Sequence, residues 1–153
     1  MKFPELPDDE ATAEDTENDI EFISEDLDFQ LDEPEKAKHW ILRAVAEEQA
    51  TLSFVNYIFC SDDYLHQMNV EHLKHNTLTD IITFPYSETT VEGDIFISID
   101  RVRDNAETFK VTFEQELARV MIHGVLHLLG YNDKNSIEKA KMTEKENYYL
   151  AKQ

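Results

Sequence analysis

The chain has 153 residues, 41% of them apolar, which suits one domain with a core of its own. Its 33 acidic and 14 basic side chains give a formal net charge of −19. The chain as a whole is therefore a poor binder of polyanions, because affinity for phosphate comes largely from Lys and Arg. The single cysteine, Cys60, excludes an internal disulfide and fits a reducing cytoplasm.

The acidic residues are concentrated at the N-terminal end. Residues 1–35 hold 15 of the 33 acidic side chains and one of the 14 basic ones. Residues 1–19 have few apolar side chains, so we predict an acidic, disordered leader followed by a single domain over residues 20–153. The first ten residues contain no apolar run, so we expect no signal peptide. The most apolar stretch, residues 120–129, is too short to span a membrane.

Alternating and helical hydrophobic spacings predict four strands and four helices along the chain. The predicted strands are 20–24, 52–60, 81–84 and 94–99, with Gly93 as a turn before the last, and the predicted helices are 35–49, 63–69, 112–129 and 136–151. The order β-α-β-α-β-β-α-α predicts an α+β domain with a mixed sheet of about four strands and four to five helices. The pattern leaves the direction of each strand open.

The segment HGVLHLLGYND, residues 123–133, carries the residue types that bind metals. His123 and His127 are four residues apart on a predicted helix, so both imidazoles project from one face. Gly130 permits the left-handed backbone that ends a helix, and the chain can then bring Asp133 back to the same face. The spacing therefore predicts one divalent metal, preferably zinc, on His123, His127 and Asp133.

The same spacing, with glycine at +7 and a ligand at +10, is that of the metzincin helix, in which the third ligand is a histidine. Three protein ligands leave a position for water, which a metal activates for hydrolysis. Zinc peptidases carry glutamate as the general base directly after the first histidine, and here that residue is Gly124. A glutamate-driven peptidase is therefore disfavoured. Gly124 serves either close approach of a substrate or tight helix packing.

For several other polar or aromatic residues the sequence leaves more than one role open. Glu116 precedes His123 by two helical turns and could support the metal ligands from the same helix face. Asp80 and Asp94 lie at strand edges, where they either orient a ligand or stabilise turns. Tyr86 and Tyr131 either stack on nucleic-acid bases or belong to the core.

The motif resembles that of the YbeY-type rRNA maturation factors. HGVLHLLGYND is similar to the family signature HGxLHLxGYDH. The resemblance extends upstream: residues 77–86 (TLTDIITFPY) are similar to the family's TDVLSFP segment, residues 93–98 (GDIFIS) to its GDIxIS strand, and residues 63–69 (DYLHQMN) to the preceding helix. The similar region covers about residues 20–147.

This resemblance implies a metal-dependent endoribonuclease that cleaves single-stranded rRNA, matures the 3′ end of 16S rRNA and acts in ribosome quality control. It implies one Zn²⁺ per chain, with Ni²⁺ or another divalent ion as an alternative. His123 and His127 would be both metal ligands and catalytic residues. The implied partners are single-stranded rRNA and the small ribosomal subunit with its proteins, in the cytoplasm and without a membrane; no oligomeric state is implied.

The chain departs from the family pattern at the metal and at an arginine to which the resemblance assigns catalysis or RNA binding. Asp133 and Asn132 stand where the family usually has His and Asp, which makes the surroundings of the ion less positive. The place of a family arginine is taken by Leu73. Three neighbours could contact phosphate instead or simply form an exposed loop: His72, Lys74 and His75.

Two other functions remain open from the sequence. The first is a ribosome-associated assembly factor whose metal is structural, which the missing arginine and the low basicity favour. The second is a zinc metallopeptidase-like hydrolase, which the histidine spacing alone suggests and Gly124 opposes.

Overall fold

The computed structural model describes residues 19–73 and 79–153. The elements in chain order are β1 (Ile20–Ser24), α1 (Pro34–Glu47), β2 (Leu52–Cys60), α2 (Asp62–Leu73), β3 (Ile81–Pro85), β4 (Val91–Ser98), α3 (Ile99–Phe109), α4 (Phe113–Leu128) and α5 (Ser136–Leu150). They form the expected α+β fold. The predicted leader, residues 1–19, lies outside the described residues except for Asp19.

The four strands form one mixed sheet in the order β1-β2-β4-β3. β1 pairs with β2 and β2 with β4 in parallel, whereas β3 pairs with β4 antiparallel and lies at the edge. Tyr57 and Thr83 face Ile95 from the two sides of β4. The predicted mixed sheet is confirmed, and the structure supplies the strand directions that the sequence pattern left open.

Helices cover the two faces of the sheet unequally. The larger core lies between one face and the helices α1, α3, α4 and α5, and its largest fully buried side chains include Tyr57, Ile41, Ile95, Ile122 and Leu126. A smaller cluster on the other face joins Leu65 of α2 to Cys60 and Ile82. Burial raises the pKa of the Cys60 thiol to about 12, so Cys60 is an inert core residue.

Buried polar atoms connect the layers. The Tyr57 hydroxyl donates to the carbonyl of Met121, which joins the sheet to α4 at 3.0 Å. The Trp40 indole N–H donates to the carbonyl of Tyr149 at 2.8 Å, which joins α1 to α5. Both donors are buried, so these bonds fix the positions of the helices as well as satisfying polar groups.

α4 begins with a complete capping box. Thr112 accepts a hydrogen bond from the Gln115 backbone N–H, and the Gln115 side chain accepts from the Thr112 N–H. This capping box satisfies two backbone donors that the first helical turn leaves without partners. The helix that carries both histidines is therefore fixed at its first residue.

Near β4 one sequence prediction was wrong, and the predicted order of elements was incomplete. β4 begins at Val91, so Gly93 lies inside a strand and is not a turn. A fifth helix, α3, follows β4 directly and was absent from the predicted order. The Ser98 side chain accepts from the Arg101 N–H and caps α3 at the last residue of the strand, so no turn residues separate the two elements. No helix of the described residues is long and apolar enough to cross a membrane.

Candidate metal centre

α4 places two imidazoles on one face, one turn apart. The Nε2 atoms of His123 and His127 are 3.0 Å apart. Both side chains are only partly buried, so their ring edges reach solvent. The predicted convergence of the two histidines is thus present in the structure.

The chain turns back towards the imidazoles of His123 and His127 where α4 ends at Gly130. Gly130 has φ of 105°, a backbone conformation that side chains disfavour. Its N–H donates to the carbonyl of His127 at 3.0 Å, and the Tyr131 N–H donates to that of Leu126 at 3.0 Å. This pair of bonds is the Schellman arrangement that ends a helix. The bend brings Asp133 Oδ2 to 3.4 Å from His123 Nε2 and 3.5 Å from His127 Nε2.

These three atoms fit a metal ion. Two ligands bound at 2.0–2.1 Å to one tetrahedral zinc lie about 3.3 Å apart, and the three observed separations span 3.0 to 3.5 Å. The three side chains are also the group of His, Cys, Asp and Glu residues that could hold an ion among the described residues. The predicted donor set therefore has the required chemistry and spacing.

The second nitrogen of each ring has a partner that fixes the tautomer. His123 Nδ1 lies 2.6 Å from Glu146 Oε2, and His127 Nδ1 lies 2.9 Å from the carbonyl of Tyr131. Both partners are acceptors, so each Nδ1 donates and each Nε2 keeps its lone pair. Two lone pairs and the Asp133 carboxylate then face one another, an arrangement that suits a cation between them.

The carboxylate behind His123 belongs to a partly buried ion pair. Glu146 of α5 is 7% exposed, and its Oε1 accepts from Arg119 Nη1 at 2.8 Å. Arg119 also donates to the Asn147 side chain at 2.8 Å. Glu116, the candidate from the sequence, is buried nearby, and burial raises its pKa. The carboxylate that holds His123 is nevertheless that of Glu146, which sequence reasoning missed.

We expect Glu146→Gln to weaken zinc binding by about 10- to 100-fold, the usual effect of losing a partner behind a metal ligand. The carboxylate accepts from Arg119 through one oxygen and from His123 through the other. A glutamine offers one acceptor, so its amide N–H would face one of the two donors. Competition against a chromophoric chelator measures the affinity. Glu144→Gln, an exposed change on the same helix, is the control, and equal affinities of the two variants would contradict the prediction.

The surroundings give the two imidazoles different proton affinities. Burial acts to lower the pKa of His123, but the hydrogen bond and charge of Glu146, with Asp133 and Asp80, outweigh it and raise that pKa. Burial, together with the neighbouring His123, lowers the pKa of His127. A proton that competes with the metal therefore binds His123 before His127.

Gly124 serves helix packing. A Cβ at this position would lie 2.9 Å from two atoms of Ile95 and 3.1 Å from Ile81 Cδ1. The glycine therefore lets α4 lie close against the sheet between β3 and β4. Of the two readings that the sequence left open, the structure supports tight packing.

Comparison with known proteins identifies the family. A family model described as Endoribonuclease YbeY matches residues 19–153. The chain belongs to the YbeY family. This membership confirms the resemblance that the sequence motifs indicated.

Relatives with the same description match most of the chain. One from Amoebophilus asiaticus is 49% identical over 86% of this chain and 90% of its own length. Another from Cytophaga hutchinsonii is 47% identical, covering 88% and 96% respectively. A solution structure of a Thermotoga maritima protein is similar with a TM-score of 0.63 and 35% identity, covering 86% of each chain. Sequence and fold therefore agree on the YbeY family.

The residues near the missing YbeY arginine are only partly described. Leu73 ends α2, and His72 is exposed in the last turn of that helix. Lys74 and His75 lie outside the described residues. The sequence prediction that these side chains contact phosphate stays a prediction.

The other candidate residues make contacts that favour structural roles. Asp94 accepts from Asn56 Nδ2 at 3.0 Å and from the Tyr86 hydroxyl at 2.6 Å. Tyr86 itself is 54% exposed. Asp80 accepts from Asn105 Nδ2 at 3.3 Å, and burial raises its pKa. Asp94 therefore connects β2 to the residue that follows β3, and Asp80 connects the start of β3 to α3.

Proposed function

We propose that this protein is a metal-dependent endoribonuclease that cleaves single-stranded rRNA in maturation of the 16S rRNA 3′ end. One observation carries the proposal: a chain of the YbeY family brings three ligand atoms together with the spacing of a zinc site. Ribosome quality control is the wider role that we propose with it. The activity is that of a hydrolase acting on phosphodiester bonds.

Each member of the centre has a defined part. His123, His127 and Asp133 hold one divalent ion, zinc by preference, with Ni²⁺ or another divalent metal as an alternative. When bound, such an ion supplies Lewis acidity, which lowers the pKa of water and neutralises charge on a phosphodiester. His123 and His127 orient their Nε2 atoms through the Nδ1 contacts, and Asp133 adds a negative charge that tempers the ion's positive charge. Three protein ligands leave a coordination position for solvent or substrate.

The charge distribution indicates how RNA reaches the centre. Residues 36–153 carry 18 acidic and 13 basic side chains, so this part is acidic as well. Arg119 has both ends of its guanidinium engaged by Glu146 and Asn147. We therefore propose that the small ribosomal subunit and its proteins present the RNA in the cytoplasm, because bulk charge does not attract it.

Cleavage of a single-stranded RNA of the 16S 3′ region tests the proposal. We expect the zinc-loaded protein to cut it, a chelator to stop cleavage, and added Zn²⁺ to restore it. A duplex of the same sequence is the control for strand specificity and should remain intact. Cleavage that proceeds equally with chelator would refute the metal-dependent mechanism.

A second function is favoured by the low basicity of the chain and by the absence of the family arginine. Leu73 stands in the place of the family arginine, which suits an assembly factor with a structural metal. The three-ligand centre opposes it, because structural zinc usually has four protein ligands. Metal-loaded protein that sediments with small subunits but cuts no RNA would select this function. The zinc-peptidase alternative has less support, since Gly124 replaces the glutamate base.

A further inference from the structure

Tyr131 contacts the metal centre and a distant helix at the same time. Its carbonyl accepts from His127 Nδ1 at 2.9 Å, and its hydroxyl donates to Glu48 Oε1 at 2.7 Å. Asp133 follows two residues later. We propose that Glu48 and Tyr131 act as a positioning pair that holds His127 and Asp133 in metal-binding geometry. This inference rests on the metal centre proposed above.

Glu48 is itself held by several donors. It follows the last residue of α1, and its side chain is 12% exposed. Glu48 Oε2 accepts from Lys145 Nζ at 2.9 Å and from the Tyr149 hydroxyl, both on α5. Burial acts to raise the pKa of Glu48, but the hydrogen bonds from Tyr149, Tyr131 and Lys145 outweigh it and lower that pKa. The acceptor that receives the Tyr131 hydroxyl is therefore charged and fixed between two helices.

The short bend needs such an anchor. The helix-ending bonds of α4 reach only as far as the Tyr131 N–H. On the far side of Asp133, the Lys134 N–H donates to Glu138 Oε1 at 2.9 Å. Asp133 thus lies between two fixed points, one of which is Tyr131 with Glu48. Without the contact between Tyr131 and Glu48, the Asp133 carboxylate could move away from the two imidazoles. The Tyr131 carbonyl could also turn away from His127.

The same two helices contain a matched pair that is not connected to the bend. The Tyr148 hydroxyl of α5 donates to Glu47 of α1. Lys152 lies 4.7 Å from the Tyr148 ring centroid, much as Lys145 lies 5.6 Å from that of Tyr131. Removing the Tyr148 hydroxyl therefore deletes the same kind of bond without touching residues 129–135.

Measurements of zinc affinity distinguish the role of the Glu48–Tyr131 pair from that of the Glu47–Tyr148 pair. Metal-free wild type, Tyr131→Phe and Tyr148→Phe are each titrated with Zn²⁺ against a chromophoric chelator. We expect about tenfold weaker binding by Tyr131→Phe and wild-type binding by Tyr148→Phe. Equal affinity of Tyr131→Phe and wild type, or equal weakening by both variants, would overturn the positioning role. A wild type that binds no zinc would instead refute the metal centre itself.

Two further measurements distinguish positioning from general loss of stability. The visible spectrum of bound Co²⁺ reports coordination geometry, so Tyr131→Phe should change it and Tyr148→Phe should not. Glu48→Ala, which removes the acceptor itself, should weaken Zn²⁺ binding at least as much as Tyr131→Phe, and it tests the same contact if Tyr131→Phe folds poorly. Glu48 also accepts from Lys145 and Tyr149, so its loss can exceed that of Tyr131→Phe. The double variant should bind about as weakly as Glu48→Ala alone, because the Tyr131 hydroxyl has then already lost its acceptor. Effects of the two single changes on zinc affinity that simply add in the double variant would contradict the proposal that the two residues act as a pair.

Discussion

Replacing either proposed metal ligand on α4, as His123→Ala or His127→Ala, is expected to reduce the metal content from one ion per chain to almost none. The remaining two ligands would hold the ion far less tightly, by more than the roughly 10- to 100-fold that loss of an outer partner costs. The rate of cleavage of single-stranded RNA should fall by at least the same factor as the metal content. Metal analysis after gel filtration, beside the RNA assay, measures both effects.

His39→Ala is the matched control for these variants. His39 is exposed on α1, so the change removes an imidazole that is not one of the three proposed ligands. Far-ultraviolet circular dichroism should show that all three variants keep the fold. Retention of a full equivalent of metal by both His123→Ala and His127→Ala would refute the proposed ligands.

Gly93→Ala is expected to lower the free energy of unfolding by about 3 kcal/mol, the upper part of the usual cost of overpacking. A Cβ on Gly93 would lie 2.4 Å from the Phe84 carbonyl oxygen and 2.8 Å from Leu128 Cδ2. The carbonyl belongs to the neighbouring strand and cannot turn aside, so β3 must separate from β4. Such a loss is large for a domain whose total stability is on the order of 5–15 kcal/mol.

Gly124→Ala provides the comparison for Gly93→Ala. Its added methyl group would meet side-chain atoms of Ile95 and Ile81, which can adjust. Alanine also favours the helix by about 1 kcal/mol over glycine, which offsets part of the strain. We therefore expect a clearly smaller loss. Urea unfolding followed by Trp40 fluorescence measures both, and equal stability of Gly93→Ala and wild type would contradict the argument.

The convergence of the three candidate ligands could be predicted because its geometry is local. His123 and His127 share a face through the helical period alone, and Gly130 marks the end of the helix within the same eleven residues. The Asp133 carboxylate then needs only one bend. None of these steps depends on the rest of the fold, so the sequence was sufficient to predict that the three side chains converge.

The residues behind the ligands could not be predicted, because they come from distant segments. Glu146 lies 23 residues after His123, and Glu48 lies 83 residues before Tyr131. Their contacts exist only once α1 and α5 pack beside α4, and an acidic residue in a chain with 33 of them gives no local signal. The prediction of Glu116 failed for the same reason: a position on the right helix did not supply the contact to His123.

The errors in the fold have a similar origin. α3 lacked a turn signal because Ser98 ends β4 and caps the helix at once. Gly93 resembles a turn residue in the sequence, yet its role is to let the Phe84 carbonyl approach from the next strand. Strand directions also depend on how α1 and α2 cross the sheet. Local spacing therefore predicted the existence of most elements but not how they meet.

The orientation of residue 124 limits which reactions this scaffold could acquire by point mutation. Position 124 faces Ile95 and Ile81 beneath α4, so a glutamate placed there would enter an apolar layer instead of reaching solvent at the ion. An unpaired carboxylate in such surroundings costs several kcal/mol. Proteolysis assisted by that glutamate would therefore require α4 to rotate about its axis, and one codon change could not convert this nuclease scaffold into a protease.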